Sequence, residues 1–177
     1  MSNEWITEYQ MGNFCKILKD FRAVEADYSI QLYFPTSIVN LLKTLETEGD
    51  FTLLDEIKSF SSILFIPVNT GYHWILIIID TRIFKSIVIT YCDPLSGYPN
   101  KRIIKDFKAK YTFCKFKVLN ERVQYDGVHC GAWCIYIASQ YIEKCKKTFS
   151  PSGTLQALLL VLLRKLTKIE ILILFNS

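Results

Sequence analysis

The sequence predicts a mixed α+β domain, and three features predict it. Apolar runs at residues 62–68 and 73–80, then a third ending at Tyr91, are spaced like successive strands of one sheet. Stripes at helical spacing flank them, at residues 11–21, 38–45 and 103–107. A last stripe, Ile135, Ala138, Tyr141 and Ile142, follows directly on a glycine-containing turn and a cysteine. Helix, strands, helix, strand and helix follow one another without internal repeat, linker or low-complexity segment.

Each element has its own signal. Thr7-Glu-Tyr-Gln10 has the form of a capping box, with Ile6 and Met11 placed as its hydrophobic staple. Met11, Phe14, Cys15, Leu18 and Phe21 carry the helix on to about Arg22. Ile30–Phe34 predicts a short strand before Pro35. Thr36 or Ser37 caps a second helix that buries Ile38, Leu41, Leu42 and Leu45 and stops at Gly49. Ser62–Val68 is the first core strand, and Pro67 calls for an edge position or a strand end. Asn69-Thr-Gly71 turns the chain into His73-Trp-Ile-Leu-Ile-Ile-Ile-Asp80, a buried strand. Thr81 and Arg82 predict a tight reversal into a returning strand, Ile83–Tyr91. Ser96-Gly97 and Tyr98-Pro99 mark a loop before a short amphipathic helix, Lys101–Lys110, with Ile103, Ile104 and Phe107 inward. Phe113–Leu119 predicts a strand with one wet face, Lys115 and Lys117 lying opposite Phe116 and Val118.

Composition narrows the function. Half of the 177 residues are hydrophobic and 21% are charged, which excludes a disordered chain. The net charge of +4 comes without a Lys/Arg run or interleaved aromatics, so no nucleic-acid partner is expected. Met1-Ser-Asn-Glu-Trp is not a signal peptide, so the six thiols are expected reduced in an intracellular setting. Two histidines and scattered cysteines form no ligand cluster, so no metal is expected. Cys15, Cys114 and Cys134 read as core thiols. After the break at Ser150-Pro-Ser-Gly153 the chain turns strongly apolar. A catalytic domain is expected over residues 1–150. Residues 151–177 read as an atypical apolar segment, a docked helix and tail of the same domain or a divergent ending. Their uninterrupted apolar stretch is too short to span a bilayer, and no membrane partner is expected.

Chemistry concentrates at Gln124-Tyr-Asp-Gly-Val-His-Cys130-Gly-Ala-Trp-Cys-Ile135. Cys130 opens the last helix, where unpaired backbone N–H groups and the positive end of the macrodipole favour a thiolate. The same N–H groups suit an oxyanion, and Gln124 offers a side-chain donor six positions upstream. A nucleophilic thiol needs a base, and the base an orienter. His129 adjoins Cys130 and points another way, so His73 is the candidate base. In an antiparallel hairpin His73 falls opposite Thr90 or Tyr91. Asp80 then lies roughly 23 Å away along the strand, at ~3.3 Å per residue. Asp93, just past the end of the returning strand, is the candidate orienter.

His73-Trp74, then Asp93 behind the next strand, then Gln124-x-Asp-Gly-x-His-Cys130-Gly131, resembles the Ulp1-type cysteine peptidases of the adenain clan. The resemblance covers about residues 4–145. It implies a papain-like, adenain-type fold with a central mixed or antiparallel sheet flanked by helices. It also implies His73 as base, Asp93 as orienter, Cys130 as nucleophile and Gln124 in the oxyanion hole, beside the helix-start N–H groups at Gly131. In that family a tryptophan after the histidine and a second one before the first helix line a narrow tunnel for a Gly-Gly tail. Trp74 and Trp5 correspond to them. His129 stands where the family more often has an aspartate. The implied activity is a thiol isopeptidase without cofactor, acting as a monomer on ubiquitin or on conjugates of a ubiquitin-like modifier such as SUMO or NEDD8. An acetyltransferase built on the same triad and a non-catalytic modifier-binding module are the competing readings.

Overall fold

The structure, a computed structural model, describes residues 5–20, 29–32, 35–46, 62–82 and 86–147. The chain divides into two units. One is Trp5–Ala138. The other comprises Met1–Glu4 and Ser139–Ser177, of which residues 139–147 are described.

The first helix, α1 (Glu8–Asp20), starts where the capping box predicts. The Thr7 backbone N–H donates to Gln10 Oε1 at 2.8 Å, and the Gln10 N–H donates back to Thr7 Oγ1 at 3.2 Å. Two donors that a helix start would leave unpaired are thereby satisfied. Met11 and Phe14 are buried as the stripe requires. The side chains of Cys15 and Leu18, and Phe21 with Arg22, lie outside the described residues.

Two short strands follow, β1 (Ser29–Leu32) and β2 (Thr36–Ser37). Ser37 then caps α2 (Ile38–Glu46), its Oγ accepting the Asn40 N–H at 3.1 Å. Gly49, the expected stop, lies outside the described residues. The sheet is completed by β3 (Ser62–Asn69), β4 (Trp74–Asp80), β5 (Ile87–Cys92) and β6 (Cys114–Leu119). Its order is β1-β3-β4-β5-β6, with β2 also pairing β3. The sheet is mixed. β3, β4 and β5 run antiparallel, β1 and β2 lie parallel to β3, and β6 lies parallel to β5.

Pro67 does not make β3 an edge strand. β1 pairs residues 62–65 of β3 and β2 pairs residues 68 and 69. On its other side β3 pairs β4 from residue 63 to residue 69, so Pro67 lies inside an interior strand.

The hairpin register also differs from expectation. The described part of the returning strand is Ile87–Cys92, and its expected start at Ile83 lies outside the described residues. Asp80 is occupied there by Arg82, whose backbone N–H and Nε each donate to Oδ1 at 3.0 Å. Leu76 consequently faces Cys92 and Ile77 faces Tyr91, so paired residue numbers sum to 168 (76 + 92). Continued past the strand end, the same sum sets position 73 against position 95 (168 − 73), beyond Thr90 and Tyr91.

Every residue of β4 is buried, as expected of a strand covered on both faces. On one face Ile75, Ile77 and Ile79 pack with Leu64, Ile66, Val68 and Ile89 against Leu41 and Leu45 of α2. Ile103 and Phe107 of α3 (Lys101–Lys110) complete this core. Ile104, expected inward with them, is only partly buried. β6 keeps Lys115 and Lys117 in water as its alternation predicts, while Phe113 stays outside the strand and exposed. The last helix, α4 (Cys130–Lys147), begins at the cysteine. No described helix is long and apolar enough to cross a membrane. The expectation for residues 151–177 lies outside the described residues.

Candidate active site

Five chain segments of the first unit converge at one end of β4. His73 immediately precedes that strand, and Asp93 leaves β5 in front of Pro94, which cannot extend a ladder. The register error therefore does not separate them. His73 Nε2 donates to Asp93 Oδ1 at 2.7 Å. Cys130 is buried at the start of α4, and its Sγ accepts the backbone N–H of Trp74 at 3.3 Å. Cys130 also acts on the His73 ring electrostatically, favouring its charged form. With Nε2 given to Asp93, Nδ1 is the ring nitrogen left for sulfur.

Electrostatics follow from these contacts. Burial alone would lower the His73 pKa, but hydrogen bonds and attraction to Asp93 and Cys130 outweigh it and raise it to about 9. The imidazolium is thus the favoured form at neutral pH. Burial works to raise the Asp93 pKa, yet donation from His73 and from the Leu95 and Gly97 backbone N–H groups holds it below the usual carboxylate value. Nearby Cys92 is pushed up to about 12 by burial. Cys134 is raised by burial first and by its acidic neighbours second, Asp93 among them. Both stay neutral thiols.

The wall beside the thiol comes from the segment before α1. Trp74 is buried, and its indole N–H donates to the Ile6 carbonyl at 2.9 Å. Gly131 lets that segment approach, since a Cβ there would stand 2.9 Å from Ile6 Cβ and 3.2 Å from Trp74 Cδ1. Trp5, next along, is 40% exposed. The two tryptophans thus differ in setting, one enclosed and one at the surface.

Gln124 is fully buried, and its backbone N–H donates to the Pro94 carbonyl at 2.9 Å. Its amide is not a free donor. Nε2 donates to the Asp126 carbonyl at 2.7 Å and to Asp126 Oδ1 at 3.2 Å, while Oε1 has no partner among the described residues. The reason is local: an aspartate two residues on offers two acceptors within reach. Asp126 Oδ1 also accepts the N–H groups of Val128 and His129 at 2.8 and 2.9 Å. Burial opposes ionisation of Asp126, but these donors and His129 bring its pKa down to about 2. His129 Nδ1 lies 3.0 Å from Asp126 Oδ2, within ion-pair distance. The His129 carbonyl accepts the Trp133 N–H, the first turn of α4.

Four participants were given no part in the chemistry by the sequence reading: Asp126, Ile6, Pro94 and Gly97. Asp126-Gly127 carried a usable signal, because Asp before Gly commonly folds its carboxylate back onto following N–H groups. Ile6 and Pro94 act through backbone carbonyls, which no side-chain pattern announces. Among the described residues no group of His, Cys, Asp or Glu could hold a metal.

Comparison with known proteins adds a family. The model of the Ulp1 protease family, C-terminal catalytic domain, matches residues 57–150. A de-sumoylating protease of known structure is 18% identical, with a TM-score of 0.54 over 76% of this chain and 61% of its own. The Xanthomonas campestris effector XopD, solved bound to ubiquitin, is 14% identical, with a TM-score of 0.57 over 76% of this chain and 72% of its own. The central domain of an uncharacterized Legionella pneumophila protein gives 13%, 0.53, 85% and 81% in the same order. At such identities the likeness is one of fold. This chain spans about three fifths of the de-sumoylating protease. No curated protein matches it in sequence.

Proposed function

We propose, from the premise that this chain belongs to the Ulp1 protease family, that it is a thiol peptidase cutting behind the C-terminal Gly-Gly of ubiquitin or a ubiquitin-like modifier. Cys130 is the nucleophile, His73 the base and Asp93 its orienter. The observation that carries this reading is the His73 ring held by Asp93 at 2.7 Å, with the Cys130 sulfur accepting the N–H of the next residue, Trp74, at 3.3 Å. The fold likeness to a de-sumoylating protease and to an effector bound to ubiquitin supports the substrate class. The catalytic domain is taken to end near residue 150, where the family match ends.

The reaction runs through an imidazolium–thiolate pair. The thiolate attacks the carbonyl carbon of the terminal glycine, and the carbonyl oxygen becomes an oxyanion. Unpaired N–H groups of the first turn of α4, Gly131 among them, stabilise it, at about 3 kcal/mol per well-placed donor. Gln124 adds its amide once it turns an N–H from Asp126 to the developing charge. His73 Nδ1–H protonates the leaving amine, leaving a thioester on Cys130. Water, deprotonated by His73, then releases the glycine carboxylate. Trp5 faces the tail at the surface, and Trp74 backs it through Ile6. A slot of this kind excludes side chains by steric conflict and admits glycine.

Ubiquitin and SUMO carrying a C-terminal thiol-reactive group provide the test. Wild-type protein should form a covalent adduct that Cys130→Ala abolishes. An adduct that survives in Cys130→Ala, or none with any modifier probe, would refute the reading.

A further inference from the structure

We infer that the loop from Asp93 to Gly97 positions both sides of the proposed reaction, and that Gly97 is a positioning residue without which Asp93 cannot hold His73. The inference rests on the peptidase reading of the site, and it names residues that neither the motif nor the family match assigns.

The loop folds back on its own first residue. The Leu95 N–H donates to Asp93 Oδ1 at 2.8 Å, and the Ser96 N–H donates to the Asp93 carbonyl at 2.8 Å. Ser96 takes a left-handed backbone, φ 59°, which the following close approach requires. Gly97 then comes up against the Asp93 carboxylate. That approach leaves no room for a side chain. A Cβ on Gly97 would stand 2.3 Å from Asp93 Oδ2 and 3.2 Å from its Cγ. The obstructing atom is the end of a short side chain, so it can rotate aside and the protein can still fold. Rotation, however, takes Oδ1 away from His73 Nε2, which it meets at 2.7 Å. The same loop reaches across to the oxyanion side. The Pro94 carbonyl accepts the N–H groups of Val123 and Gln124 at 3.1 and 2.9 Å. One five-residue loop thus fixes the carboxylate behind the base and the backbone of the glutamine beside the nucleophile.

The test needs no substrate, so it separates this inference from the peptidase reading itself. The His73 ring is titrated by NMR in wild type, Gly97→Ala, Asp93→Ala and the double variant Asp93→Ala/Gly97→Ala. In wild type the midpoint should lie near 9, and in Gly97→Ala it should fall towards the ordinary histidine value. In the Asp93→Ala background Gly97→Ala should change nothing, because the atom it strikes is gone. Thermal unfolding of the same four proteins gives a second readout should Gly97→Ala fold poorly: it should lower Tm in the wild-type background and not in the Asp93→Ala background. Equal shifts in both backgrounds, or a folded Gly97→Ala with the wild-type midpoint, would overturn the inference. Failure of the modifier probes alone would leave it standing and remove only the substrate reading.

Discussion

Replacing Gly131 by alanine sets two opposing effects against each other, and the structure says which wins. Alanine in place of glycine inside a helix favours folding by about 0.8–1 kcal/mol. Against this, the new Cβ meets Ile6 Cβ at 2.9 Å, Trp74 Cδ1 at 3.2 Å and Ile6 Cδ1 at 3.3 Å. Ile6 Cδ1 can rotate away. Ile6 Cβ moves only with its backbone, and that backbone carbonyl accepts the Trp74 indole N–H at 2.9 Å. Overpacking of this kind costs about 1–3 kcal/mol, and a stretched hydrogen bond adds about 1. The balance is a net loss of about 1–3 kcal/mol. For a chain of this size that lowers Tm by roughly 3–10 °C. Unfolding followed by tryptophan fluorescence measures it, since Trp74 is buried in the native state. A rise of a few degrees would mean that helix propensity decides, and that residues 5–7 do not press on the cysteine helix.

Asp93→Asn tests the pairing through pH. The folded-state pKa of His73 is raised to about 9, so its share of stability is complete below about 6.5, the unfolded value, and is lost as pH rises through 9. Urea unfolding of wild type should show that decline between pH 6.5 and 9; a decline of the same size in Asp93→Asn would exclude the carboxylate as its cause. Phe107→Ala removes a fully buried ring that stacks on Tyr111 at 6.2 Å and tilts against Phe116 at 6.3 Å. It should cost about 3–5 kcal/mol in denaturant titration, and less than 1 would mean the core closes over the gap. Thr7→Ala breaks the capping box and should cost about 1 kcal/mol by the same assay, with an unchanged value counting against the cap.

The parts legible from sequence are those set by neighbours along the chain. The capping box at Thr7, the Ser37 cap and the helix Lys101–Lys110 each depend on residues within a turn or two, and each stands where expected. The mixed α+β fold and the family were legible for a related reason: period and motif order survive whatever the loops do. What needed distant contacts was less legible. The hairpin register pairs Asp80 with Val88, and Thr81-Arg82 looks like a two-residue turn until Arg82 is seen gripping Asp80. Pro67 looks like an edge residue because a strand's own sequence does not show which strands flank it.

The choice between Asp80 and Asp93 as partner of His73 shows why a wrong register did less harm at the site. Two antiparallel strands always bring the start of one to the end of the other, whatever slip occurs between. His73 begins its strand and Asp93 ends the next, so they meet, whereas Asp80 lies at the opposite end. Gln124 had no such protection. An amide two residues before a carboxylate can serve either a distant oxyanion or that carboxylate, and pattern alone cannot rank the two. The structure gives its N–H groups to Asp126. The carboxylate behind the proposed base is therefore fixed by strand topology, and the amide proposed as oxyanion donor by a local competition. It follows that substitutions at Asp126 act on the oxyanion side of the proposed reaction and leave the His73–Asp93 contact in place.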